Sequence, residues 1–368
     1  MGAGASSLAA IARYLLRSEA IASSRIEGIT PSPQQIAIAE IADQESIRGV
    51  STQAQLVANN ITVVGRASAE LVQAERVTVE HIVGLHDRLL PNDRHRGLRT
   101  MQNWIGGSQY SPVGAAFVPP PPDQLPALMD DLVDFINGAA HTPLVQAALV
   151  HAQFETIHPF TDGNGRVGRA LIHTVLTRRG LTPTAVLPVS LVLVTVSDRY
   201  INGLTGFRYI GSSESAAAQD GVRNWIDLFV DSTLVATRLA GDLKDRIAEL
   251  RVDWTNRLSA QRVELGIRPT PRFGSTTARL LDMLPEAPVV TARTLQGILD
   301  ISHPAASAAL DELVEADILR SKTIGRNSRA YLADELLDLV ATSERQLAST
   351  KFGTAAAPPH PGVPAGPD

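Results

Sequence analysis

The chain has 368 residues, 44% apolar and 19% charged, with 33 Lys and Arg against 38 Asp and Glu for a formal charge of −5. That length supports two or three domains with a real core, and the slight acidity gives no general pull toward nucleic acid or membrane. The absence of cysteine excludes disulfides, zinc-finger sites and thiol catalysis, and no apolar run approaches membrane-spanning length.

In chain order, residues 1 to about 60 are expected to be helical. The opening Met1-Gly2-Ala3-Gly4-Ala5-Ser6 formally matches a myristoylation pattern, set aside because the Ala- and Arg-rich, Lys-poor composition fits a GC-rich bacterial gene. In SEAIASSRIEGI, Ser23 and Glu27 are four apart and share a helix face, with Gly28 next. Thr30-Pro31 breaks this helix from an amphipathic piece, SPQQIAIAEIAD. Between Trp104 and Pro119, Gly106, Gly107 and Gly114 suit tight turns and Phe117-Val118 a short strand. Pro119–Pro122 is a rigid spacer before an amphipathic helix.

The next segment, HTPLVQAALVHAQFETIH, is a helix with Thr142 as N-cap and Pro143 at its first position, placing His158 at its C-terminal end before Pro159. Helical spacing resumes in GRVGRALIHTVLTRRG and stops at Gly180. Residues 158–169 therefore form a joint whose glycines lie at the second helix's N-terminus, where free amides and the helix dipole receive anions. Gly163 and Gly165 let the backbone curl into an anion nest, and Asn164 adds a side-chain donor. Arg166 and Arg169 emerge on one helix face to clamp separate phosphates, Asp162 is a hard oxygen ligand suited to Mg²⁺, and a neutral His158 is the natural base for a hydroxyl nucleophile. His151 and His173 lack metal-spaced partners and are expected to pack between helices.

Downstream, a long helical pattern through NWIDLFVDSTLVATRLAGDLKDRIAELRVDW closes this part, and GIRPTPR marks a linker near 266–272. Residues 275–340 have the pattern of a winged helix: a capped helix, two helices joined at Asp300–Ser302, and a β-wing turning at Gly325-Arg326-Asn327. Its second helix carries Asp311, Glu312, Glu315 and Asp317, leaving basic residues (Arg320, Lys322, Arg326, Arg329) only on the wing. That charge pattern favours a packing or partner role over DNA binding. The tail from 352 is Pro-, Ala- and Gly-rich and expected to be disordered.

HPFTDGNGRVGR resembles the Fic signature HxFx(D/E)GNGRxxR at every specified position. The resemblance implies transfer of AMP from ATP to a Ser, Thr or Tyr hydroxyl of a target protein, or of the chain itself. His158 would be the base and Asp162 the Mg²⁺ ligand; Asn164 and the amides of 163–165 would hold the α-phosphate, Arg166 the β-phosphate and Arg169 the γ-phosphate. Related Doc kinases carry Lys where this chain has Gly165, which favours nucleotidyl over phosphoryl transfer. Ser23, Glu27 and Gly28 fit the family's inhibitory pattern (S/T)xxxE(G/N), with the Glu27 carboxylate occupying the Arg169 fork that the γ-phosphate needs. Residues 104–119 resemble the family's flap, which implies a β-hairpin that docks the target, and Tyr200 stands where relatives place an adenine-side wall, though it fits equally as a core residue.

The expected protein is therefore all-α and cytoplasmic: an inhibitory helical region (1–60), a Fic-type helical bundle with a β-hairpin flap (61–265), a winged helix-turn-helix (272–345) and a tail (352–368). Two rivals stay open, removal of AMP by the same site and a nucleotide-sensing DNA-binding regulator. Many Fic relatives dimerise, so a homodimer stays open as well.

Overall fold

A computed structural model describes residues 3–92, 94, 96–107, 110–324 and 328–350. The wing turn at 325–327 and the tail from 352 lie outside the described residues. The elements are helices α1 (Ala3–Ile26), α2 (Pro33–Glu45), α3 (Thr52–Gln73), α4 (Val79–Leu89), α5 (Leu125–Asn137), α6 (Pro143–Ile157), α7 (Asn164–Arg178), α8 (Val189–Thr195), α9 (Ser197–Phe207) and α10 (Ala216–Glu264). There follow α11 (Thr276–Met283), β1 (Val289–Val290), α12 (Ala292–Leu299), α13 (His303–Glu315), β2 (Arg320–Thr323), β3 (Arg329–Leu332) and α14 (Asp334–Thr350). No described helix is long and apolar enough to cross a membrane.

The centre of the main core is α7, whose residues from Asn164 to Leu176 are all buried. A helix buried on every face must be wrapped by others, and α3, α4, α6 and α1 surround it. Its partner α6 starts as expected at Thr142 and Pro143, but Thr142 makes no capping hydrogen bond, so the proline's fixed φ sets the start. Trp225 on α10 is fully buried against α6, donating its indole N–H to the Ala148 carbonyl at 2.8 Å.

The 49-residue α10, about 73 Å long at 1.5 Å per residue, leaves this core halfway and enters a second one. Leu243, Ile247, Trp254 and Leu258 pack there with Leu280, Leu310 and Leu336 of the C-terminal unit. Tyr14, Leu15 and Ile21 of α1 and Ile36 of α2 belong to the same cluster, whereas Ala20 of α1 faces the main core. The N-terminal helix is thus held between two cores.

The C-terminal unit follows the order helix, strand, helix, helix, strand, strand, with an antiparallel sheet ordered β1-β3-β2 and Ser321 opposite Tyr331. On α13, Asp311 and Glu315 are exposed and Glu312 is partly buried, and each has a polar partner. Glu312 pairs with Arg262 and accepts from Thr277, Glu315 accepts from Gln261, and Asp311 accepts from Tyr331.

The flap differs from the expected hairpin. Its arms meet through one antiparallel bridge, Ile105 opposite Phe117, with no longer strand pairing among the described residues. Gly106 and Gly107 take φ of +75° and +71°, and a Cβ on Gly107 would lie 2.9 Å from the Gly114 backbone, so the chain turns out of register immediately.

Candidate active site

His158 is the C-cap of α6 in left-handed conformation, φ 49°, its N–H bound to the Phe154 carbonyl at 2.9 Å. Pro159 forbids another turn of helix, and Phe160 is buried against the ring of His86, whose Nε2 lies 3.0 Å from the Asp162 carbonyl. These contacts fix the loop from both ends. Gly163, the N-cap of α7, has φ +78°, and a Cβ there would come within 3.0 Å of Leu89.

No side chain caps α7, so its first amides face the loop as an anion nest. Asn164 is placed differently from the expectation. Its Oδ1 accepts from the Phe160 N–H at 2.9 Å and its Nδ2 donates to the Phe160 carbonyl at 2.8 Å. The side chain closes the loop on itself, leaving the first amides of α7 without a side-chain cap. Arg166 is 2% exposed, with Nε and Nη1 buried and without hydrogen-bond partners among the described residues. Leaving such donors unmade is costly, so the site has room for an acceptor.

Asp162 carries a 58% exposed side chain, with Oδ1 accepting from the Gly163 N–H and lying 3.8 Å from Arg166 Nη2. The described residues contain no cluster of three or more metal-ligating side chains. A single exposed carboxylate suits Mg²⁺, which keeps several waters and takes other oxygens from substrate phosphates.

The end of α1 lies on Arg169. Gly28 N–H bonds the Arg25 carbonyl and Ile29 N–H the Ser24 carbonyl, a closing motif that requires the left-handed φ of +74° at Gly28. Glu27 is thereby the helix C-cap, one residue past the regular helix yet on the same face as Ser23. Arg169 Nε donates to Ser23 Oγ at 2.9 Å, while Nη2 donates to the Ser23 carbonyl at 2.8 Å and to Glu27 Oε1 at 2.7 Å. Gly165 makes this approach feasible, because a Cβ there would stand 2.1 Å from Glu27 Oε1. Desolvation would raise the Glu27 carboxyl, but Arg169, Arg166 and His158 outweigh it and hold the group below its ordinary value. The carboxylate, 34% exposed, thus occupies an anion position as an anion.

Several residues of this site left no local mark in the sequence. Buried Arg99 donates Nε to the His158 carbonyl at 2.9 Å and also bonds the Met101 and Pro120 carbonyls, tying the flap base to the loop. Asn103 Nδ2 adds a bond to the Phe160 carbonyl at 3.0 Å. Arg208 reaches the Glu155 carbonyl at 3.0 Å and stacks 4.5 Å over the flap's Phe117 ring. Burial and then the Arg208 and Arg99 charges lower the His158 imidazole to about 4, the Glu155 carbonyl and Glu27 pulling the other way. At neutral pH His158 is therefore an unprotonated base. Burial pushes the nearby Glu155 carboxyl up to about 7, with Arg169 opposing and Glu27 reinforcing.

Of the flap residues singled out, Phe117 packs under Arg208, Gly106 and Gly107 form the turn, and Val118 is half exposed. Tyr200 is buried, its hydroxyl 2.8 Å from His151 Nε2 and 3.4 Å from Arg169 Nη1, so it stands behind the arginine instead of forming an open wall. His173 lies 3.0 Å from Glu19 of α1 and His151 contacts Tyr200, so both histidines have specific polar partners beyond packing.

Residues 76–176 match the family model described as Fic/DOC family. A protein adenylyltransferase Fic from Drosophila willistoni is 37% identical over 125 residues, 32% of this chain and 23% of that protein. A probable protein adenylyltransferase from Aquifex aeolicus is 42% identical over 73 residues, 20% of this chain and 23% of its own length. The chain spans about a quarter of the length of the curated relatives it matches. The crystal structure of a Fic family protein from Desulfovibrio desulfuricans G20 aligns over 87% of each chain with a TM-score of 0.50 and 20% identity, a likeness of fold.

Proposed function

We propose that this chain, whose residues 76–176 form a Fic/DOC family domain, transfers AMP from ATP to a protein hydroxyl and is held at low basal activity by Glu27. The observation that carries the reading is a neutral, buried imidazole beside an uncapped helix N-terminus and an arginine with unmade donors. In this reading the amides at the start of α7 hold the α-phosphate, Arg166 the β-phosphate and Arg169 the γ-phosphate. His158 takes the proton of the target hydroxyl as that oxygen bonds to the α-phosphorus and the α–β bridge breaks, releasing pyrophosphate. Asp162 would hold Mg²⁺, which would supply charge neutralisation along the phosphates. The flap edge at Ile105 and Phe117, anchored to the loop by Arg99 and Asn103, suits docking of an extended target segment by main-chain pairing.

Glu27 competes with the γ-phosphate for the Arg169 fork and repels the triphosphate, so its removal should release activity. The test is automodification of the Glu27→Gly protein with Mg-ATP, compared with the unaltered chain and with Glu27→Gly/His158→Ala. Strong labelling only in Glu27→Gly is expected; equal labelling with and without His158 would overturn the assignment of the base.

A further inference from the structure

We propose that Tyr200, backed by His151, is the positioning pair that keeps the Arg169 guanidinium aimed at a bound phosphate when the Glu27 carboxylate gives up its place. This rests on the nucleotide-transfer reading above and concerns a contact that reading does not use.

Four hydrogen bonds hold Arg169 among the described residues, and three come from α1: Ser23 Oγ, the Ser23 carbonyl and Glu27 Oε1. Two of these come from Ser23 and hold Nε and Nη2; the third, from Glu27, occupies the position a phosphate would take. The fourth, from Nη1 to Tyr200 Oη at 3.4 Å, comes from α9 and holds the other terminal nitrogen.

The direction of this chain of bonds is set by elementary donor counting. A guanidinium only donates, so Tyr200 Oη accepts from Arg169 and its own proton must go elsewhere. His151 Nε2 lies 2.8 Å from the oxygen and takes it. That assigns the ring's proton to Nδ1, which faces Gly168, one residue before Arg169 on the same helix. Burial, with Arg169 next, lowers the His151 imidazole to about 3, so the lone pair on Nε2 persists across the physiological range. Mobility is restricted as well. The His151 ring stacks on Tyr200 at 5.9 Å and leans on Trp225 at 5.8 Å, whose indole is pinned to Ala148. Tyr200 is 3% exposed and His151 fully buried, so neither touches the reacting atoms. Their role is to fix the Nη1 side of the guanidinium, which neither Ser23 nor Glu27 contacts.

Arg169 lies nearly one turn further along α7 than Arg166, away from the His158 loop, so it meets the outermost phosphate of a bound triphosphate. Losing its anchor should therefore weaken ATP and spare ADP. The experiment is calorimetric titration of Mg-ATP and Mg-ADP into Glu27→Gly and Glu27→Gly/Tyr200→Phe. The expected result is an ATP affinity lowered about fivefold to tenfold, the loss of one charge-assisted hydrogen bond, with ADP affinity within about twofold. His151→Gln in the same background retains an acceptor for the tyrosine proton and should keep the ATP affinity, whereas His151→Leu should match Tyr200→Phe. Unchanged ATP affinity in Tyr200→Phe overturns the proposal, and so does a parallel loss for ATP and ADP, which would mark general damage. Absence of any nucleotide binding by Glu27→Gly itself would instead overturn the proposed function and this inference with it.

Discussion

At the scale of single residues, burial keeps His158 neutral, and the Arg208 and Arg99 charges add to it. Its imidazole lies at about 4 in the folded chain, against an ordinary value of 6.5. In the Glu27→Gly background, which removes a group that raises the ring, the acid limb of the automodification rate should therefore fall near pH 4 or below, not 6.5. Arg208→Gln should move it upward, as pH–rate profiles will reveal; an acid limb at 6.5 in both would contradict the electrostatic account. The stability consequence has a definite sign. The unfolded ring binds a proton before the folded one, so this group's contribution is complete above pH 6.5 and is lost as pH falls toward 4. Thermal melts over that window should show a smaller acid-induced drop for His158→Ala than for the unaltered chain. The site was legible where the chemistry demands fixed residue types at fixed spacing: His158, Asp162, the glycines, Arg166, Arg169 and Glu27 all border one loop. What stayed hidden was decided by tertiary contact. Nothing in the spacing of Asn164 says that both ends of its amide bind Phe160, and Arg99 meets His158 across 59 positions of sequence.

At the scale of elements, α1 and α7 run alongside each other with matching four-residue steps. Glu19 faces His173, Ser23 faces Arg169 and Glu27 reaches Gly165. Glu19 is fully buried and also accepts from the Ser190 N–H at 2.7 Å and the Ser190 hydroxyl at 2.5 Å, so it clamps α1 to the start of α8 two turns away from the inhibitory carboxylate. Glu19→Ala would leave those donors unmade, at about 1–3 kcal/mol for each buried group. Basal automodification should rise without any change at Arg169, though less than in Glu27→Gly, and the melting temperature should fall; unchanged automodification despite a lower melting temperature would show that α1 is held elsewhere. The helical pattern made α1, α6, α7 and α10 predictable from spacing and caps. The flap was not: its turn glycines and Phe117-Val118 fit a hairpin, while Gly106 and Gly107 at positive φ leave a single bridge.

At the scale of the whole molecule, the expected three-part division describes the chain order but not the packing. Apolar residues of α1, α2, α10 and the C-terminal unit form one cluster, in which Trp254 is fully buried with its indole N–H on Glu335 at 2.6 Å. Tyr14 of α1 donates to the Leu336 carbonyl at 3.2 Å, and Arg25, two residues before Glu27, pairs with Glu344 of α14. This partly buried ion pair and the shared apolar cluster link α1 to the C-terminal unit. Trp254→Ala should cost about 3–5 kcal/mol and raise automodification in a chain whose Glu27 is intact. A destabilised protein with unaltered activity would separate the two cores.

The central claim is that the His158 loop transfers a nucleotidyl group and that Glu27 restrains it. Intact-mass spectrometry of Glu27→Gly after incubation with Mg-ATP tests it most directly. The account predicts a gain equal to one adenylyl group, absent from Glu27→Gly/His158→Ala and weak in the unaltered chain. No gain, or a gain equal to a phosphoryl group, would contradict it.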